Sequence, residues 1–362
     1  MRVLSALIFL SSFLASQSAI AAKTTKAAVA VKEETKTIDQ LYQAAIKEGG
    51  NLIVYHGGDT PTQQDGFKAA FKKAFPKLNL TVVVDYSKYH NVRIDNQLET
   101  NTLVPDVVAL QTLQDFPRWA EEGHLLNYKP ANFSQIYDGF KDPNGAWYAY
   151  IIFSFMYASN EQALGSLAAP ATPLQLVDPK YKGKIASSYP HDDDAVLFLF
   201  TRYVEKYGWD WAAKFAKQDV SFNRGSNVAG ELINAGKKAI AVGAGGNPAG
   251  AINGKYPFIA WGQRVAILKK AKNVAAAKLL VNWWNSEAMQ RQNGFSGWTV
   301  RKDLPTTNGF KQVWEIPEAN SAKFATFMEN REVVEFWKQK FALYFGEVQG
   351  EPTPGVLGLH PK

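Results

Sequence analysis

The sequence predicts an α/β protein built as a two-lobed clamshell, in which each lobe is a mainly parallel sheet flanked by helices. Three observations lead to this prediction. Apolar, β-rich segments alternate with amphipathic helical segments, which is the pattern of parallel α/β sheets. Residues 147–157 and 256–262 are long apolar runs without a helical period, as expected of buried strands that cross between lobes. The length of 362 residues exceeds what a single hydrophobic core usually supports.

The first 21 residues have the composition of a signal peptide. Arg2 supplies the charged start, residues 3–14 form an apolar core, and residues 19–21 (AIA) have the small-x-small pattern of a cleavage site. We therefore expect a secreted, extracellular protein, periplasmic if the source is a Gram-negative bacterium. No later run reaches about 18 apolar residues, so a membrane-embedded protein is not predicted. Residues 22–37 are expected to form a flexible N-terminal segment.

Strands and helices are expected to alternate in the first lobe, which is predicted to comprise residues 38–150 and 262–362. The elements expected before the first crossing are helix 38–47, strand 51–55, helix 62–75, strand 80–84, a helix within 89–100, strand 107–110 and helix 115–122. Thr60 as N-cap, followed by Pro61 and Gln63, has the pattern of a capping box and predicts a helix start there.

The second lobe is predicted to comprise residues 151–261. Its expected elements are a helix start at residues 172–173, strand 183–187, helices 193–206, 209–217 and 228–235, and strand 238–242. After the second crossing, helix 274–290 and one or more helices within 319–345 complete the first lobe. In such sheets, ligands lie beyond the carboxyl ends of the strands.

Composition argues against several classes of function. The absence of cysteine excludes a lipidated cysteine, disulfides and thiolate metal sites. The net charge is +7, or +6 once a leader containing Arg2 is removed, and the basic residues are scattered without the stripe that nucleic-acid binding needs. Residues 243–246 (GAGG) fail as a dinucleotide fingerprint, because Pro248 stands at the third glycine position. No cofactor, metal or nucleic-acid partner is predicted.

In the first lobe, the candidate ligand-binding residues follow two predicted strands. They are Gly57, Gly58, Asp59, Thr60, Gln111 and Thr112. Backbone N–H groups at a helix start lack intrahelical partners, and glycines let a ligand approach the main chain. The alternatives are an ordinary turn for the glycine pair and helix capping for Thr112 with Asp115.

In the second lobe, the candidates lie in three loops after predicted strands or before predicted helices. They are Tyr189, His191, Asp192, Asp193, Arg224, Ser226, Gly245, Gly246 and Asn247. Arg224 is the candidate for gripping an anionic group with its guanidinium fork. The alternatives are a helix N-cap for Asp193, a solvent-facing side chain for His191 and a surface turn for Arg224. Trp298 and Tyr55 are considered as stacking surfaces, although most of the ten tryptophans must pack in the core.

The order of elements, with residues 178–186 (DPKYKGKIA) and 273–290 (NVAAAKLLVNWWNSEAMQ), resembles bacterial extracellular solute-binding proteins of the type II periplasmic binding fold. The likeness extends from about residue 38 to about residue 345. It is strongest to the iron(III), polyamine, aminoethylphosphonate or sugar-phosphate branch of the ABC transporter substrate-binding proteins. Residues 57–64, 84–88, 110–116 and 189–194 also resemble secreted homologues of filamentous eukaryotic microbes.

The resemblance implies a noncatalytic receptor whose two hinged lobes close on a small solute. In bacteria the partner would be an ABC transporter permease, and we expect a monomer. Ferric-binding relatives use two adjacent tyrosines where this chain has Gly245 and Gly246, so iron capture by that motif is not expected. In a eukaryote, Asn79 and Asn132 would be candidate glycosylation sites.

The mixed acidic and basic loops predict a polar or phosphorylated solute. Asp59 or Asp192 would meet an amine or hydroxyl groups, and Arg224 would meet phosphate. Two other classes remain open. One is a secreted interaction protein that kept the fold without transport. The other is a secreted hydrolase, which is disfavoured because the chain has neither a G-x-S-x-G nor an H-E-x-x-H motif.

Overall fold

The computed structural model describes residues 30–246, 248–292 and 296–352. The predicted signal peptide, residues 22–29 of the predicted flexible segment and the candidate ligand residue Asn247 therefore lie outside the described residues. All described residues from Val31 onward belong to one compact unit.

The first stretch of the chain alternates helices with parallel strands, as predicted. Its elements are α1 (Ile38–Glu48), β1 (Asn51–Gly57), α2 (Asp65–Ala74), β2 (Asn79–Asp85), α3 (Ser87–Glu99), β3 (Val107–Leu110) and α4 (Asp115–Glu121). A capping box between Thr37 and Gln40 starts α1, whose Leu41 and Ala45 are buried.

The remainder of the chain contains five further strands and nine further α-helices in the described ranges, besides six short 3-10 helices. The elements up to the second crossing are β4 (Tyr148–Ser159), α5 (Glu161–Leu164), β5 (Ile185–Ser188), α6 (Asp194–Tyr207), α7 (Trp209–Ala216), β6 (Ser221–Asn223), α8 (Asn227–Asn234), β7 (Ile240–Ala244), α9 (Ala249–Gly254) and β8 (Ile259–Ile267). The last are α10 (Val274–Asn285), α11 (Glu287–Gln292), α12 (Ser321–Glu329) and α13 (Arg331–Phe345).

All eight strands form one sheet in the order β2-β1-β3-β8-β4-β7-β5-β6. We call β2, β1 and β3 the first half-sheet and β7, β5 and β6 the second half-sheet; each set pairs in parallel. The long strands β8 and β4 lie between them and run antiparallel to their neighbours. The predicted α/β class is confirmed. The two parallel sets were expected as the sheets of separate lobes, but they belong to one continuous mixed sheet, because β8 and β4 pair with each other and with both sets.

Strand β4 belongs to both parts of the sheet. Its residues up to Phe155 pair with β8, whereas those from Met156 pair with β7, and the register shifts between Met156 and Tyr157. Eight of its twelve residues are buried, which explains its continuous apolar composition.

Two predicted element boundaries are corrected, and one strand is added. Helix α2 begins at Asp65, because residues 60–64 form turns and the Gln63 side chain accepts the Asp59 N–H instead of completing a box with Thr60. The helix predicted over 274–290 is divided at Ser286, whose backbone is extended (ψ 150°). The short strand β6 was not predicted, because its three residues carry no periodic signal.

Both ends of the described chain contact the body of the fold. Near the N-terminus, the Glu34 N–H donates to the Lys129 carbonyl (2.9 Å) and its carboxylate accepts from the Tyr128 hydroxyl (2.9 Å). At the other end, α13 packs on α6 and α7, with ring centroids of Phe341 and Phe200 5.8 Å apart. The exact lobe boundaries stay a prediction.

Candidate functional site

A cavity of about 950 Å³ lies where the loops after the strands of both half-sheets meet. The loops that follow β1, β3, β5, β6 and β7 all reach its wall. This is the position expected from the carboxyl ends of parallel strands, and the volume suits a small organic solute.

Ten of the predicted residues line this cavity. They are Gly57, Gly58, Asp59, Gln111 and Thr112 from the first half-sheet loops and Asp192, Asp193, Ser226, Gly245 and Gly246 from the second. Thr60, Tyr189, His191 and Arg224 are not part of the wall formed by the described residues. Whether any of these residues binds a solute stays a prediction.

The glycine pair after β1 is required by packing inside the protein. A Cβ on Gly57 would lie 2.3 Å from the Ser87 Oγ, and one on Gly58 would lie 2.6 Å from a methyl carbon of Val84. The Ser87 hydroxyl in turn accepts the N–H of Gln111 (2.9 Å). These glycines therefore let the loops after β1 and β3 approach α3 and β2 closely.

Asp59 connects the two half-sheets across the cavity. Its Oδ2 accepts hydrogen bonds from the Ser226 hydroxyl and the Asn227 N–H, each at 2.9 Å. Asn227 is the first residue of α8, so a carboxyl group from the first half-sheet sits at the positive end of a helix from the second. Burial raises the pKa of Asp59, although hydrogen bonds from Asn227 and Ser226 oppose the shift.

Gly225 permits this close approach. Its φ is +76°, and a Cβ there would lie 3.1 Å from both the Asp59 side chain and the Tyr86 hydroxyl. A residue with a side chain would be strained in this backbone conformation and crowded against Asp59.

Asp192 forms a second connection, shared by two cations. The Lys88 Nζ is 2.6 Å from its Oδ1 and also donates to its carbonyl oxygen (2.6 Å). The Arg224 Nε and Nη2 donate to its two carboxylate oxygens at 3.1 Å, and Nη2 also donates to the Tyr89 hydroxyl (3.0 Å). Burial alone would raise the pKa of Asp192, but Lys88 and Arg224 hold it below its ordinary value.

The next two carboxylates have structural partners as well. Asp193 is the N-cap of α6 and accepts from the N–H groups of Ala195 (2.8 Å) and Val196 (3.0 Å), as the capping alternative predicts. Burial, followed by the negative charge of Asp59, raises the pKa of Asp193 to about 7. Asp194 instead forms ion pairs of 3.0 Å with two basic residues of α13, Arg331 and Lys338.

Tyr189 and His191 pack away from the cavity. The Tyr189 ring stacks on Phe222, and the His191 Nε2–H donates to the carbonyl of Gly346 just after α13 (2.8 Å). His191 is half-buried, and burial lowers its pKa.

Aromatic side chains form much of the cavity wall, and the sequence analysis did not identify them. Tyr150 and Trp284 stack with ring centroids 4.4 Å apart, and Trp283 and Phe67 lie beside them. Positions 283 and 284 resemble packing residues of an amphipathic helix, so their sequence carries no signal for a cavity. Trp298 and Tyr55, considered as stacking surfaces, are buried and not part of the wall.

His56 was also missed as a member of the wall. Its Nδ1–H donates to the Gly57 carbonyl (2.7 Å), so Nε2 must accept the hydrogen bond from the Tyr150 hydroxyl (2.8 Å). Burial lowers the pKa of His56 to about 4, which keeps the ring neutral near pH 7.

Neither a metal-binding cluster nor a membrane-spanning helix occurs among the described residues. They contain no group of three or more His, Cys, Asp or Glu side chains arranged to hold a metal ion. Within residues 30–246, 248–292 and 296–352, no helix combines the length and apolar composition needed to cross a membrane.

Solved structures of low sequence identity share this fold. AfuA from Actinobacillus pleuropneumoniae with fructose-6-phosphate bound has a TM-score of 0.62 and 18% identity over 81% of this chain and 99% of that chain. Iron-bound HitA from Pseudomonas aeruginosa has a TM-score of 0.59 and 14% identity over 80% and 99%. The substrate-binding protein of an ABC transporter from Agrobacterium tumefaciens has a TM-score of 0.63 and 15% identity over 81% of this chain and 96% of that chain. Such identities show the fold alone.

The family follows from the sequence match. A search of curated protein sequences found no match. Residues 57–291, more than half of the chain, match the family model of the bacterial extracellular solute-binding proteins. The chain therefore belongs to the family of bacterial extracellular solute-binding proteins.

Proposed function

We propose that this protein is a noncatalytic receptor that encloses one small polar solute between its two half-sheets. The observation that supports it best is the cavity of about 950 Å³ whose wall is built by strand-end loops from both half-sheets. Cavities of this size enclose small organic ligands. The open volume disfavours an interaction protein with a filled cleft.

The wall combines the two kinds of group that bind a polar organic molecule. Trp283 and Phe67 offer ring surfaces, and the side chains of Gln64, Gln111 and Ser154 offer hydrogen-bonding groups. Rings contribute apolar area, while amides and hydroxyls orient the solute. The Arg224 guanidinium, which the sequence suggested for phosphate, is already paired with Asp192.

Closure by a hinge in the crossing strands completes the proposal. Strands β4 and β8 join the half-sheets, and the register shift between Met156 and Tyr157 marks where β4 changes partners. Contacts of Asp59 and Asp192 across the cavity would form only in the closed state. A solute shifts such an equilibrium by as much as it prefers that state.

Native mass spectrometry of the full chain, purified without denaturation, tests the proposal. The expected result is an added mass of one small molecule that disappears on denaturation. Calorimetric titration with sugars, polyamines, sugar phosphates and aminoethylphosphonate extends the test if the protein is purified empty. The proposal is wrong if the purified protein retains no solute and none of these compounds gives heat of binding.

A matched pair of variants locates the solute. Trp283→Ala removes a half-buried ring from the cavity wall, whereas Trp314→Ala removes a half-buried ring that stacks on Tyr137 outside it. We expect the first variant to lose most of the bound solute and the second to retain it. Equal retention would place the solute elsewhere.

The wider biological setting is part of the same proposal. Export by the predicted signal peptide and delivery of the solute to an ABC transporter permease agree with the family. The specific branch, the likeness to homologues of filamentous eukaryotic microbes and the monomeric state remain predictions. Asn79 and Asn132 are both exposed, as use of the two glycosylation motifs requires.

A further inference from the structure

The start of α8 is a strong position for an anion in the cavity wall. The Ser226 hydroxyl and the Asn227 N–H converge there at the positive end of an eight-residue helix. In this protein the position is already filled, because the Oδ2 of Asp59 accepts both hydrogen bonds. Its carboxyl group makes the contacts that an anionic solute would make.

Charges in the rest of the wall also disfavour an anion. Among the described wall residues, the cations are Lys88, Arg331 and Lys338, and each forms an ion pair with Asp192 or Asp194. The wall carboxylates Asp59, Asp193 and Glu231 form no ion pair with any described residue; Glu231 accepts from the Asn227 amide instead. An entering anion would therefore meet excess negative charge and no cation without a partner.

We infer that Asp59 determines specificity by occupying the start of α8, so that the cavity admits neutral or cationic solutes and rejects phosphorylated or carboxylate ones. This inference deepens the proposed function and rests on it. Occupation of the helix start excludes the anion in either protonation state of Asp59, and ionisation adds repulsion.

Contacts with the surrounding loops fix the position of Asp59. Its own N–H is held by the Gln63 side chain, and Gly225 lets the loop before α8 come within contact distance of its Cβ. Both loops are therefore shaped so that Asp59 occupies the helix start whenever the two half-sheets are closed on each other.

Calorimetric titration with inorganic phosphate near neutral pH tests the inference on the full chain. Asp59→Ala empties the helix start and removes one negative charge, and we expect it to bind phosphate at least about tenfold more tightly than the parent, or about 1.4 kcal/mol. The matched control Glu231→Gln also removes one negative charge from the wall but leaves Asp59 at the helix start, so its gain in phosphate affinity should be clearly smaller than that of Asp59→Ala. Equal phosphate affinity in the parent and a folded Asp59→Ala would overturn the inference.

Two further measurements keep the test decisive. If Asp59→Ala does not fold, Asp59→Ser replaces it, because the serine hydroxyl is too short to reach the place of the Asp59 Oδ2 at the helix start. A gain in phosphate affinity over Glu231→Gln supports the inference, and no gain refutes it. A phosphorylated or carboxylate solute retained by the parent would refute the specificity while supporting the proposed receptor function. A parent that neither retains a solute nor binds any of the titrated compounds fails the receptor proposal, yet the phosphate comparison between the parent and its variants still decides the role of Asp59.

Discussion

Replacing Asp192 by alanine should destabilise the protein far more than removing an equally close but exposed partner. The carboxylate is 2.6 Å from the Lys88 Nζ and 3.1 Å from the Arg224 Nη2, and its side chain is 8% exposed. Removing one partner of a buried pair costs roughly 3–5 kcal/mol, because the remaining charge is left uncompensated. Here two cations would be left facing each other.

Solvent and a remaining acceptor reduce this cost. The Lys88 side chain is 37% exposed, so water screens it, whereas that of Arg224 is 18% exposed. Lys88 also keeps its hydrogen bond to the main-chain carbonyl of residue 192 in the variant. We therefore expect Asp192→Ala to lower the free energy of unfolding by about 2 kcal/mol.

The control is an ion pair that is as short as the one between Lys88 and Asp192 but exposed to solvent. Asp210 lies 2.6 Å from Lys214, but the two side chains are 77% and 58% exposed. Asp210→Ala should change the free energy of unfolding by less than about 0.5 kcal/mol. Urea unfolding of the parent and both variants at pH 7 measures the difference. Equal losses in the two variants would refute the idea that burial gives the Asp192 network its strength.

Three further predictions concern stability. The pKa of His56 is lowered to about 4 in the folded protein, so below pH 6.5 protons bind preferentially to the unfolded chain and destabilise the fold. In urea unfolding, the free energy of unfolding of the parent should therefore fall relative to that of His56→Gln by about 3 kcal/mol between pH 7 and 4. A difference that does not change with pH would contradict this. Because the pKa of Asp193 is raised to about 7, its contribution to stability is full below pH 4 and lost as pH rises through 7; urea unfolding should show Asp193→Asn up to about 4 kcal/mol more stable than the parent at pH 8, with the gain vanishing near pH 4. Gly225→Ala and Gly236→Ala share a positive φ, but only the first Cβ would be crowded, by Asp59, so thermal unfolding should show a loss larger by about 1 kcal/mol in Gly225→Ala; equal losses would point to backbone strain alone.

Local patterns were sufficient to predict most elements of the fold. The four residues of β3 are all buried and were predicted at their observed bounds, because a short apolar run between turn residues has few alternatives. The start of α2 was mispredicted because a contact in the folded chain replaced the one that the local pattern indicates. The capping pattern at Thr60 was present, but the Gln63 side chain bonds to Asp59 in the folded chain.

The candidate site could be predicted in part from strand ends. Loops after parallel strands converge at one edge of a sheet, so Asp59, Gln111 and Asp192 were expected near one another, and all three line the cavity. The aromatic wall could not be predicted in this way. Trp284 and Tyr150 have the same apolar character as core residues, and only the packing of α10 against β4 places them beside a cavity.

The amino-acid sequence by itself determined the α/β class, the crossing strands and the loops that face the cavity, because periodicity and turn residues act over short distances. The tertiary structure alone decided which charges meet. Asp59 and Ser226 are 167 residues apart, and Arg224 and Tyr89 are 135 apart, yet each pair forms a hydrogen bond that joins the two halves of the fold. Spacing in sequence carries no information about such contacts, since they depend on how the half-sheets pack. The same packing pairs Arg224, the expected phosphate ligand, with Asp192.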